Sequence, residues 1–146
     1  MTAKEYLTRL KDMDRQIDLD LRELEQWRAL STRLTGGASE ERRSPNRPTE
    51  APFVKCVEKI AELERKITEE VDALVDFKAE ALDMIRGIPD FDQREVLEMR
   101  YLGGAAWSDI AEKRHFTTRW ILRLHSWGLA ALEKILREQK SAASVH

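Results

Sequence analysis

A chain of 146 residues holds one ordinary domain, or a small domain joined to an extended element. Charged residues make up 36% and aromatics 7%, with 6 Gly and 4 Pro, which favours helices and disfavours a β-sandwich. The net charge of -2 argues against a uniformly basic nucleic-acid coat but permits a local basic patch.

The first predicted element runs from about Thr2 to Leu34. Leu7, Leu10, Met13, Ile17, Leu21, Leu24, Trp27, Leu30 and Leu34 follow one another at steps of three or four, with no Gly or Pro between them. Thr2 and Glu5 have the spacing of a capping box. At a rise of ~1.5 Å per residue the helix is roughly 50 Å long.

Gly36-Gly37 ends this helix, and Pro45, Pro48 and Pro52 among small polar residues make 35–52 a flexible linker. A second long helix is expected over about Phe53 to Arg86. Its stripe is Phe53, Val57, Ile60, Leu63, Ile67, Val71, Leu74, Ala81 and Ile85, and Gly87 and Pro89 stop it. Two long helices joined by one loop make an antiparallel, coiled-coil-like hairpin over 1–86 the simplest arrangement. Two helices alone bury little, so a partner chain or the C-terminal region is expected to cover the remainder, and the hairpin is expected to set the oligomeric state, most simply a homodimer.

Beyond Pro89 the pattern shortens. Asp90 or Asp92 caps a helix carrying Val96, Leu97, Tyr101 and Leu102, which Gly103-Gly104 ends. A short helix follows over about Trp107 to Arg114, with Ser108 as its candidate cap. After a break at His115-Phe116, Thr117 caps a last helix with Ile121, Leu124, Gly128, Leu129, Leu132, Ile135 and Leu136. Residues 141–146 form a frayed tail.

Chemistry of the catalytic kind finds no footing in this sequence. It has no HExxH, CxxC, GxSxG or Gly-rich phosphate loop, so neither an enzyme nor a cofactor or metal site is expected. One Cys excludes a disulfide framework, and Cys56 is read as a small, buried or half-buried side chain. No apolar run reaches the ~18 residues of a membrane span. The N-terminus has no signal-type apolar core, so a cytoplasmic protein is expected.

The informative stretch is Tyr101 to Leu132. A short helix with a buried Ile110-Ala111 pair, a tight turn and a capped second helix have the plan of a helix-turn-helix. From Lys113 to Leu132 there are four basic residues (Lys113, Arg114, Arg119, Arg123) and no acid, a local charge of +4. Thr118, Arg119, Leu122, Arg123 and Ser126 share the face opposite Ile121, Leu124 and Gly128. On that face a recognition helix meets base edges and phosphates of double-stranded DNA. His125 is also read as outward. Trp120 and Trp127, seven apart, share a flank suited to core packing or to docking a partner protein.

This stretch resembles region 4 of sigma-70 type factors. The resemblance rests on Arg100-Tyr101-Leu102, the Gly and aromatic-Ser before Ile110-Ala111-Glu112, and a capped helix ending in Leu124-His125 and then Leu129-Ala130-Ala131-Leu132. The whole chain resembles small phage and prophage proteins that join an N-terminal helical hairpin to such a C-terminus, some of them late-gene transcription regulators. In place of the Leu-Gly turn of such sequences stands Arg114-His115, and Trp127 stands where a basic residue is common.

The expected fold is therefore all-α: a hairpin over 1–86 and a helix-turn-helix domain over 87–140. The resemblance implies a phage-derived, sequence-specific DNA-binding transcriptional regulator. DNA-contacting candidates are Lys113, Arg114, Thr118, Arg119, Leu122, Arg123 and Ser126. The alternatives are a small-terminase-like protein recognising packaging sites as a ring, and an interaction module docking on RNA polymerase.

Overall fold

The computed structural model describes residues 1–36 and 50–144. Among them every regular element is a helix: α1 (Ala3–Gly36), α2 (Glu50–Arg86), α3 (Phe91–Leu97), α4 (Trp107–Arg114) and α5 (Thr118–Ser144). A π-turn, Glu98–Leu102, follows α3 directly. None of these helices is long and apolar enough to cross a membrane. The expected linker over 35–52 shrinks at both ends, since α1 takes Thr35 and Gly36 and α2 begins at Glu50. Pro52 fits because it lies in the first turn, where its missing N–H has no partner to lose. The rest of that linker lies outside the described residues. Of the expected frayed tail over 141–146, Ser141 to Ser144 belong to α5, and the rest lies outside the described residues.

The chain forms two compact units, Met13–Ala73 and a second made of Met1–Asp12 with Leu74–His146. The C-terminal unit thus takes in the N-terminal end of α1 and the C-terminal end of α2 and extends beyond 87–140.

Within Met13–Ala73, the buried positions of α2 are Cys56, Leu63 and Ile67, with Phe53, Ile60 and Glu70 half-buried between and beside them. The steps are 3, 4, 3, 4, 3, the spacing of a coiled-coil seam. On α1 the matching positions are Ile17, Asp20 and Leu24. Leu24, Leu63 and Ile67 form one apolar cluster flanked by Trp27 and Ile60. Asp20 pairs with Lys66, and Arg28 with Glu64 at 2.8 Å, so numbers rise along α1 as they fall along α2.

Three expected seam residues are corrected here. Leu21 is 46% exposed while Asp20 keeps 4%, and Val71 is 40% exposed while the seam passes through Glu70. Val57 likewise faces solvent, and Cys56 takes the seam position. Choosing the more apolar of two adjacent residues misplaces the stripe wherever the strict 3.5 period falls on a polar one.

In the other unit, Thr2 and Glu5 form the expected capping box: the Glu5 N–H donates to Thr2 Oγ1 and the Thr2 N–H to Glu5 Oε2. Ala3, Tyr6, Leu7 and Leu10 of α1 and Phe77, Ala81, Met84 and Ile85 of α2 are buried. The Tyr6 and Phe77 rings lie 5.0 Å apart. Ile88, Val96, Leu97, Ile110, Ile121 and Leu132 complete the fully buried set. Asp90 is the α3 cap, accepting the Gln93 N–H at 3.1 Å. Gly128 lets α5 approach α3 closely: a Cβ there would stand 3.2 Å from Leu97 and 3.4 Å from the Gln93 carbonyl.

Candidate nucleic-acid interface

The α4–α5 corner is built from local rules. Ile110, Ala111, Ile121, Leu124 and Val96 form one buried cluster, closed at its edges by Met99, Ala105, Trp107 and Phe116. Ala111 is small enough for the two helices to cross over it. His115 ends α4 in the left-handed region (φ 60, ψ 39), where a β-branched residue would be strained. Its neighbour's N–H, that of Phe116, reaches back to the Ala111 carbonyl at 2.9 Å. Thr117 then caps α5 as expected, its Oγ1 accepting the Trp120 N–H at 3.1 Å. Ser108 does not cap α4: the helix starts after Ala106, with no side-chain cap, and Ser108 is its second residue.

Lys113, Thr118, Arg119, Leu122, Arg123 and Ser126 are all exposed. The last five lie on the α5 face turned away from Ile121, Leu124 and Gly128, which are buried. This face carries cations and hydroxyls around one exposed leucine. Such a surface suits phosphate oxygens and base edges.

Arg114 departs from the group. Its Nη2 lies 2.9 Å from Asp92 Oδ1, and its guanidinium sits over the exposed Phe91 ring at 5.3 Å. A phosphate would have to compete with an ion pair already formed, so Arg114 is better described as a tie between α4 and α3.

His125 is not outward. Its Nε2 lies 2.7 Å from the Tyr101 hydroxyl, and Trp107 meets its ring edge-on at 4.6 Å. Arg100 covers the Trp107 ring at 4.3 Å and donates to the Ala105 carbonyl at 3.0 Å. The π-turn places Tyr101 and Arg100 for these contacts. In it the Gly103 N–H reaches the Glu98 carbonyl at 2.9 Å, one residue further back than in an α-helix. Gly103 is required there, because a Cβ would stand 2.9 Å from the Met99 carbonyl oxygen. The single signal in the sequence for this cluster is the grouping of Arg100, Tyr101, Trp107 and His125, and nothing in 3.6-residue periodicity reveals a π-turn.

Burial holds the His125 imidazole below its ordinary range, and the positive charges of Lys4 and Arg100 act in the same direction. Folding therefore favours the neutral ring, whose Nε2 shares a hydrogen bond with the Tyr101 hydroxyl. Because the unfolded chain takes up this proton first, His125 costs stability as pH falls through and below about 6.5. Acidification should lower the urea midpoint of the wild type relative to His125→Gln. Equal acid sensitivity in the two proteins would show that this ring carries no such linkage.

Trp120 and Trp127 pack edge-to-face, with centroids 5.4 Å apart, and keep 37% and 47% of their surface exposed. They are a surface pair, not part of the core. Among the described residues no group of three or more His, Cys, Asp or Glu is placed to hold a metal ion.

No family model, curated protein or solved structure matches the chain. The reading of this surface therefore rests on its own geometry and charge.

Proposed function

We propose that this protein is a sequence-specific DNA-binding transcriptional regulator of the phage type, with a sigma-70 region-4-like helix-turn-helix carried by an antiparallel helical hairpin. The observation that supports it most is the exposed α5 face of Thr118, Arg119, Leu122, Arg123 and Ser126, directly after a capped three-residue turn. α5 is the recognition helix. Its first two turns enter the major groove, and Lys113 and Arg123 contact phosphates. One such helix neutralises few phosphates, so a homodimer reading two half-sites supplies the remaining affinity.

The test begins with selection of binding sites from random duplex DNA by the full chain. A recovered motif bound with a log-log salt slope of several units, by a protein sedimenting as a dimer, is the expected result. A ring of many subunits would favour the packaging-recognition reading. The exposed Trp120–Trp127 pair favours a second reading, docking on RNA polymerase or another protein, and binding with neither sequence preference nor salt dependence would make that reading the leading one.

A further inference from the structure

We propose that Asp20 and Glu70 share one proton across the seam between α1 and α2, and that its loss loosens the Met13–Ala73 unit, making it responsive to pH near neutrality.

The geometry is unusual for a two-helix seam. Asp20 is 4% exposed and occupies a position where leucine or isoleucine is ordinary. Glu70 holds the equivalent position on α2. Asp20 Oδ2 and Glu70 Oε1 are both buried and receive no hydrogen bond from a nitrogen or hydroxyl donor. Gln16 Nε2 donates to the other Asp20 oxygen at 3.2 Å, and Lys66 Nζ stands 3.6 Å from Oδ2. The groups facing the pair are thus Gln16 and Asp20 from α1 and Lys66 and Glu70 from α2.

Two ionised carboxylates offer each other no donor and repel, and one ammonium, itself more than half exposed, leaves a net negative charge in the seam. A proton on Glu70 resolves both problems, because its O–H then donates to Asp20. Burial, then the bond to Asp20, pushes the Glu70 carboxyl up to about 7, while the bond from Glu70 holds Asp20 below the usual carboxylate range.

The sign follows. An unfolded Glu70 loses its proton near its ordinary value of 4.5 and the folded one near 7, so stability falls as pH rises between those values and levels off above. At most, one proton changes the folded-to-open ratio by ~10-fold per pH unit. The Asp20 contribution is lost only as pH falls below the usual carboxylate range, and His125 contributes with the opposite sign in wild type and variant alike.

The test is hydrogen exchange of the full chain, read in peptides covering Ile17–Leu24 and Leu63–Ala73 and corrected for intrinsic rates. Protection in the wild type should fall several-fold from about pH 5 to about pH 7. Glu70→Gln donates an amide N–H in place of the proton and should abolish that dependence, leaving the seam better protected than wild type at about pH 8. Lys66→Gln removes the charge that favours ionisation, so the fall should move to higher pH. The proposal is overturned if Glu70→Gln keeps the wild-type pH dependence. Should that variant not fold, an unmoved profile in Lys66→Gln overturns it equally.

Discussion

Ile121→Asp should abolish the cooperative unfolding transition of the C-terminal unit. Ile121 is fully buried and belongs to the cluster of Val96, Ile110, Ala111 and Leu124, so a carboxylate there is placed among apolar side chains. An unpaired buried charge costs several kcal/mol, and the lost packing adds about 2–5 kcal/mol, against a total domain stability of about 5–15 kcal/mol. Ile121→Val provides the scale, with an expected loss of only about 0.5–1.5 kcal/mol. Thermal denaturation followed by near-ultraviolet circular dichroism, which reports Trp107 at the edge of this cluster, distinguishes the two. A variant Ile121→Asp that melts like the wild type would mean that the α4–α5 crossing is not held by this cluster.

The paired substitution Arg119→Ala with Arg123→Ala tests function without touching the core, since both side chains are exposed. On the proposed reading, Arg119 reaches a guanine edge. Its loss costs about 1–3 kcal/mol and relaxes preference at one base. Arg123 sits one turn on and contacts phosphate. Its loss weakens all sequences alike and lowers the salt slope by about one. Together they should reduce affinity for the selected site by one to three orders of magnitude at unchanged melting temperature. Unchanged affinity and slope in a folded double variant would remove the recognition-helix assignment and leave the exposed Trp120–Trp127 pair as the better guide to a partner.

Helix existence and most local punctuation were readable from the residues alone, the start of α4 and the π-turn excepted. The Thr2–Glu5 box, the left-handed His115 and the Thr117 cap depend on a few neighbours, and each is where the chain chemistry demands it. Long-range polar choices were not readable. Periodicity alone favoured Leu21 and Val71, and only the facing helix reveals why Asp20 and Glu70 occupy the seam instead. Arg114 and His125 look like free outward groups until Asp92 and Tyr101, 22 and 24 residues away, are brought beside them. The exposed face of α5, by contrast, followed from the position of Ile121 and Leu124, because one helix fixes both of its faces at once.

The π-turn at Glu98–Leu102 has a consequence for how this chain tolerates changes of length. Its wider turn rotates Tyr101 around the axis from the place a regular helix would give it. Removing one residue between 98 and 102 would improve the local backbone hydrogen bonding and at the same time swing the phenol away from His125. A stretch that looks irregular is thus one where the count of residues is tightly constrained, whereas the many exposed positions of the long helices admit substitution freely. Sequence drift here should proceed by exchange of side chains and not by insertion or deletion.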